Sequence, residues 1–461
     1  MKLNPSSTLK VLCLILMSMG GLTAQGPAAQ SAAPQPTFKV LFTFQRFGIP
    51  LAIAEVSPGR FLGIITAPYG IFSITASGDY KNIYTFPPNN SGLGVLGLTP
   101  ALNAQTYGGA SNSGVVTTFS ELFSVAMDGK VTTHSYNAAT QGTPNIPVQS
   151  PDGHLYSIFG TVGGPQVFSR MDFAGNFKPL YTFGPGFPAY DAMFLGQDGS
   201  FYGVWLPSSA VAGIYKITPS GSFSWIVPSF PGNNNGASSL LQASNGNLYG
   251  TTLAGGRGGS IYEATLDGQM RTIYKFPNAE LGLPNWMIEA SDGNLYGTAE
   301  GQYASGYHGY SSIFSINPDT AQFETVFAMK NAQFGQCPCQ LTQGSDGKIY
   351  GIAYGGGTYD AGTVFVLDAG LPPPKPQVGM FSPTTGGVGQ TVLLWGRNLL
   401  GTTSVSFNGA QATGFAVPSS QGVWVQVPAG ATSGPVTVST PNGTFTTPKV
   451  FTVSGSSAAA R

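Results

Sequence analysis

The chain holds few side chains able to do acid–base, nucleophilic or metal chemistry, and they are scattered. Three histidines occur in 461 residues: His134, His154 and His308. His154 fills a turn position that Asn, Ser or Lys fills in related stretches, so it reads as a surface turn residue. His308 lies in Tyr303-Ala304-Ser305-Gly306-Tyr307-His308-Gly309-Tyr310, an aromatic loop that either stacks on a ligand such as a sugar or folds onto its own unit. Asp-Gly pairs begin at 152, 198, 292 and 346. They look like fragments of calcium loops but lack the spaced carboxylates such a loop needs, and Asp-Gly is equally a tight-turn pair. The run Ala254-Gly255-Gly256-Arg257-Gly258-Gly259 lacks the Gly-Lys-Ser/Thr ending and the helix of a phosphate loop, so it reads as a connection exposing Arg257. Cys337 and Cys339 flank Pro338. Two thiols do not complete a zinc site. The pair reads as a strained local disulfide, as thiols, or as a metal or redox pair. No Gly-x-Ser-x-Gly elbow comes with a usable histidine and acid, so we assign no catalytic residue, metal or cofactor.

Composition narrows the class. Charged residues make up 8% of the chain, against about 25% in an average domain, and formal net charge is zero. Long charged helices are therefore excluded, and with no Lys/Arg cluster neither nucleic acid nor an anionic membrane is an expected partner. With 42% hydrophobic residues the chain can build a core, which excludes charge-driven disorder. Residues 1–24 read as a secretory signal peptide: Lys2 and Lys10 precede an apolar run from Val11 to Leu22, too short for a span. Its removal leaves 17 basic against 19 acidic residues. Residues 25–37 form a low-complexity spacer, and we expect a secreted or cell-surface protein without membrane insertion after cleavage.

Internal repetition must position whatever chemistry exists. The string ASNGNLYGTT from Ala243 recurs as ASDGNLYGTA from Ala290, GSDGKIYGIA from Gly344, GQDGSFYGVW from Gly196 and SPDGHLYSIF from Ser150. Degenerate copies lie at 57–63 and 104–108. The tyrosine-equivalent positions are 62, 107, 156, 202, 249, 296 and 350. A second motif follows each anchor: IFSI at 71–74, LFSV at 122–125, VFSR at 167–170, IYKI at 214–217, IYEA at 261–264, IFSI at 313–316 and VFVL at 364–367. A third ends in an aromatic, as in LFTF at 41–44, IYTF at 83–86, PSF at 228–230 and IYKF at 273–276. About four short strands per unit, divided by Gly, Asn and Asp turns, is the size of a propeller blade. The region opens with a fourth-strand motif and ends on a third-strand motif. The spacing therefore predicts an all-β, seven-bladed β-propeller over 38–368, closed by residues 38–44 pairing beside 362–368.

These residues resemble a known family. Asp346-Gly347-Lys348-Ile349-Tyr350-Gly351, with Gly355-Gly356-Gly357 and Gly362-Thr363-Val364-Phe365, is similar to the GloVer tandem repeat of bacterial exported proteins. The resemblance covers roughly 38–368 and implies export, often a surface anchor, and no fixed activity. Residues 369–376 form a Pro-rich linker. Residues 377–453 read as an Ig-like β-sandwich, with strands at 391–395, 404–408, 423–427, 436–439 and 450–453. The strings FSPTTGGVGQTVLLWGRNL, VSFNGAQAT and VPAGATSGPVTVSTPNG resemble the IPT/TIG domain, which implies a spacer or adhesion role. Residues 454–461 are a tail.

In a propeller the first-to-second and third-to-fourth strand turns share one face. The other face carries the variable connections: 187–191, 233–235, 283–286, 303–310 and 359–360. Function usually sits on such loops. The ligand-binding candidates are therefore Trp286, Tyr307, His308, Arg257 and Asn234, and the expected partner is a neutral polar ligand such as a polysaccharide or another cell-surface ligand. The alternatives are a propeller lyase or hydrolase, since the DGxxY turns resemble virginiamycin B lyase and NHL-type propellers, or a purely structural envelope protein.

Overall fold

The structure is a computed structural model. It describes residues 35–45, 48–66, 69–86, 93–95, 97–112, 119–126, 128–137, 143–160, 164–184, 193–205, 212–230, 237–252, 258–277, 282–301 and 311–454, all within one compact unit. The leader falls outside them. Among the described residues there is no α-helix, and no helix is long and apolar enough to cross a membrane.

Seven antiparallel sheets of four or five strands succeed one another. The fifth is typical: Ala237–Gln242, Leu248–Thr252, Ser260–Ala264 and Met270–Lys275, in that order. The sixth repeats it with Leu283–Glu289, Leu295–Glu300, Ser311–Ile316 and Phe323–Met329. The seventh takes three strands from Gln336–Gln343, Ile349–Gly355 and Thr363–Asp368. Its fourth comes from the other end of the chain, Thr37–Thr43, with Phe38 opposite Leu367 and Val40 opposite Phe365. Seven apolar clusters lie between consecutive sheets, and one of them joins the seventh to the first through Phe44, Phe61, Phe72, Tyr350 and Ile352.

Two features of the repeat build each sheet. The turn after the first strand puts one residue at positive φ in all seven copies: Gly59, Ala104, Gly153, Gly199, Gly246, Gly293 and Gly347. Glycine suits that conformation, and only Ala104 bears a side chain there. In every copy but the first, where Pro58 stands, the preceding Asp or Asn then clasps the turn. Asp346 Oδ1 accepts the Lys348 N–H at 3.1 Å and its Oδ2 accepts the Tyr350 hydroxyl at 2.8 Å. Asp152, Asp198 and Asp292 hold Tyr156, Tyr202 and Tyr296 in the same way, at 2.6, 3.0 and 3.1 Å. The Asp-Gly pairs are thus turn chemistry: their carboxylates are spent on a backbone N–H and a phenol. The degenerate second copy keeps the clasp, with Asn103 donating to the Tyr107 hydroxyl at 2.7 Å.

The second feature is the glycine after the tyrosine-equivalent position in six of the seven copies. Gly63, Gly108, Gly203, Gly250, Gly297 and Gly351 sit opposite Phe72, Phe123, Tyr215, Tyr262, Phe314 and Phe365 on the third strand. A Cβ at Gly250 would lie 2.2 Å from the Tyr262 hydroxyl oxygen, so the ring occupies the space that glycine leaves. The third sheet departs from this pattern. There Ser157 opposes Ser169, so VFSR at 167–170 is out of frame by one and Phe168 faces Ile158.

Two expectations are corrected. Residues 283–286 are not a loop: Leu283–Glu289 is the first strand of its sheet, and a register shift between Pro284 and Met287 accommodates the proline. The fourth strand of the fourth sheet is Phe223–Val227, not 228–230, because Pro228 has no N–H to continue the ladder.

After residue 376 two further sheets follow. One orders Gln377–Ser382, Thr391–Arg397, Gly422–Gln426 and Phe415–Ser419; the other contains Gly443–Val453, Gly434–Thr440 and Ser404–Phe407. They share one core that includes Val392, Leu394, Val405, Val423, Val436 and Phe451.

Candidate functional site

First strands of neighbouring sheets pack against one another, as Ala237–Gln242 does against Leu283–Glu289 and Gln336–Gln343 against Pro50–Ser57. Where they end, they enclose a cavity of about 600 Å³, within the usual size of small-molecule sites. Every one of the seven contributes to its wall, including Glu55, Thr99, Gln149, Phe194, Gln242, Trp286, Glu289, Gln340 and Gln343. Arg397, Asn398, Gln421 and Asn442, from the C-terminal sheets, complete it.

A ring of side-chain bonds frames this end. The first strand of most sheets finishes in Gln or Glu, whose oxygen accepts a backbone N–H from the turn of the preceding sheet. Leu102 donates to Gln149 at 3.3 Å, Gln197 to Gln242 at 2.8 Å, Ser244 to Glu289 at 2.9 Å, Ser291 to Gln343 at 2.9 Å and Ser345 to Glu55 at 2.9 Å. The two remaining junctions lack the chemistry. Pro151 has no N–H to give and Leu195 no acceptor, while Ser57 would meet Pro100. The ring has a sequence signal: Gln or Glu just before the turn anchor, as in Gln242-Ala243-Ser244-Asn245-Gly246.

The C-terminal sheets dock on this same face. Trp424 Nε1 donates to the Leu102 carbonyl at 3.1 Å, and Leu102 packs with Leu393 and Trp395. Asn442 Nδ2 donates to the Ser345 carbonyl at 2.7 Å. Arg397 Nη1 pairs with Glu289 Oε2 at 2.8 Å. The Pro-rich segment follows the turns, with the Ser291 hydroxyl donating to the Pro372 carbonyl.

Electrostatics at the site are largely internal. Burial lifts the Glu55 carboxyl above its ordinary value, and bonds from Gly59 and Ser345 offset this only in part. Burial also pushes up the clasping phenols, Tyr249 to about 12, so they stay protonated and able to donate.

Of the sequence candidates, Trp286 lines the cavity, and its buried Nε1 finds no hydrogen-bond partner among the described residues. Tyr307, His308, Arg257 and Asn234 lie outside the described residues, as do 187–191. Asp360 serves its own turn by accepting the Gly356 N–H at 2.8 Å. No disulfide joins Cys337 to Cys339. The Cys337 thiol donates to Glu300 Oε1 at 3.0 Å, and the buried Cys339 thiol bonds the Ile352 carbonyl at 3.6 Å. Burial raises both thiols well above their ordinary value. The residues that sequence reasoning missed are Glu55, Glu289 and Arg397.

A family model described as the Gloeobacter/Verrucomicrobia repeat matches residues 188–415, from the fourth sheet into the C-terminal sheets. No curated protein matches the chain. Among solved structures, a catalytically inactive virginiamycin B lyase from Staphylococcus aureus, solved with quinupristin, is similar at TM-score 0.55 and 14% identity, covering 72% of this chain and 99% of that one. A streptogramin B lyase structure is similar at TM-score 0.53 and 16% identity, covering 72% and 97%. At that identity the likeness concerns the fold: the four-stranded antiparallel sheets are arranged as in these β-propellers.

Proposed function

We propose that this chain is an exported or cell-surface binding protein. In this reading residues 38–368 are a seven-bladed β-propeller, 369–376 a linker and 377–453 an Ig-like sandwich of the IPT/TIG type. The ligand is a neutral polar molecule such as a saccharide, held in the central cavity and reached from the end opposite the docked C-terminal sheets. The observation that carries the reading is the makeup of the cavity wall. Amides and hydroxyls from Gln149, Gln242, Gln340, Gln343, Thr99 and Asn442 surround one indole. Among the described residues its ionisable side chains, Glu55, Glu289 and Arg397, are already bonded to one another or to the frame. Such a wall presents amides and hydroxyls, held in place by their bonds to the frame, beside an aromatic body for stacking. Among the described residues the wall's two carboxylates, Glu55 and Glu289, are both engaged in bonds to neighbouring turns, which favours binding over the lyase reading.

The test is binding of the purified chain to a panel of neutral polysaccharides and cell-envelope fractions. We expect a saturable interaction that Trp286→Ala weakens about tenfold or more, as truncation of a central aromatic anchor does. Absence of binding across the panel, or an unchanged affinity in the variant, overturns the reading.

A further inference from the structure

We propose that Glu289 and Arg397 form a single hydroxyl-reading pair, so that the C-terminal sheets supply part of the ligand site. The inference rests on the reading of the cavity as a saccharide site. The argument starts from a mismatch within the ring of junction bonds. At positions 149, 242 and 343 a neutral glutamine accepts the neighbouring turn's N–H and donates to its own turn: Gln343 Nε2 bonds the Gly347 carbonyl at 2.9 Å, and Gln242 Nε2 the Gly246 carbonyl at 2.8 Å. The junction therefore needs no charge. At 55 and at 289 the chain nevertheless holds a carboxylate, and that of Glu289, 9% exposed, also meets an arginine. A buried charge costs stability unless paired, so its presence where an amide would serve points to a second task.

The partner that makes this charge tolerable arrives from 108 residues away. Arg397 ends the strand Thr391–Arg397. Its Nε donates to Gln377 Oε1 at 2.7 Å, and its Nη1 to Glu289 Oε2 at 2.8 Å. Glu289 Oε1 meanwhile accepts both the N–H and the hydroxyl of Ser244. A guanidinium carries five N–H donors, and these two bonds use two of them. The side chain is 39% exposed and lines the cavity beside Asn398 and Gln421. The pair is neutral as a whole, so it selects no ion. The carboxylate, its oxygens taken by Ser244 and Arg397, holds the guanidinium in place, and the remaining guanidinium N–H groups face the cavity as donors to sugar hydroxyls. Trp286 lies on the same strand and the same wall.

The test uses the full chain and four soluble probes: maltotriose, cellotriose, xylotriose and mannotriose, titrated calorimetrically. Glu289→Gln places there the residue found at the junctions of 149, 242 and 343, so the melting temperature stays near that of the parent. Arg397→Lys keeps a cation against Glu289 but loses the planar fork. The inference predicts that at least one probe binds the parent, that both variants bind it about tenfold more weakly, and that their melting temperatures hold. If a probe binds the parent and both variants alike within about twofold, the cavity reading stands and this inference falls. If no probe binds the parent, the saccharide reading falls and takes this inference with it.

Discussion

In six of the seven repeated sheets a second-strand glycine faces a third-strand ring, and in six the turn is clasped by a carboxylate or amide against a phenol. In the C-terminal sheets valine and leucine fill one shared core, with no clasp of that kind. The repeated part is a chain of nearest-neighbour contacts, each cluster between two sheets, as in other repeat architectures. The C-terminal part is a single core in which each side chain supports both sheets. The first arrangement tolerates an imperfect copy: the third sheet replaces glycine and ring by Ser157 and Ser169 and still takes its place. The second has no spare copy to lose.

That difference can be broken by substitution. Leu394 is fully buried in the shared core, so Leu394→Ala should cost about 2–5 kcal/mol, read by denaturant unfolding. Gly250→Ala should cost about 1–3 kcal/mol in the same measurement, because the new methyl meets the Tyr262 ring. Gly414→Ala, where a Cβ meets nothing within 4 Å, should change little. Equal losses at Gly250 and Gly414 would show that the glycine–ring pairing is not what shapes the repeated sheets. Tyr350→Phe removes only the bond to Asp346 and should cost about 0.5–1.5 kcal/mol.

These effects also mark what the sequence makes legible. The turn and the glycine–ring pair are local and recur seven and six times, so spacing alone exposes the second strands at 62, 107, 156, 202, 249, 296 and 350. The pairing of Thr37–Thr43 with Thr363–Asp368 follows from the phase of the repeat. The frame of the third sheet is hidden because VFSR carries its ring one place early. The strand at Leu283–Glu289 is hidden because Pro284 and Asn285 are turn residues that a register shift absorbs. The cavity is illegible for another reason. Its wall needs one residue from each of seven strands about 45–54 positions apart, plus Arg397 from a region with no repeat.

The smallest expected effect separates two carboxylates within the repeated sheets. Glu55 sits at a junction on the cavity wall, and burial raises its carboxyl above the ordinary value. Glu263 lies on a third strand, and bonds from Arg271, Asn247 and Tyr249 outweigh its partial burial and hold its carboxyl below the ordinary value. A raised carboxyl means that the native state binds its proton more tightly than the unfolded chain. Its contribution is fully present below the unfolded value and is lost as pH rises through the folded one. A lowered carboxyl does the reverse: its contribution is present above the unfolded value and is lost as pH falls through the folded one. Melting temperatures of Glu55→Gln and Glu263→Gln, each compared with the parent between pH 4 and 7, should therefore diverge with opposite slopes. Glu55→Gln gains on the parent as pH rises, because the parent must ionise a buried acid. Glu263→Gln loses ground over the same range, because the parent gains a paired carboxylate that the variant lacks. Parallel profiles would mean that the junction carboxyl is as well solvated as the outer one, and that the docked C-terminal sheets do not keep water from that end of the channel.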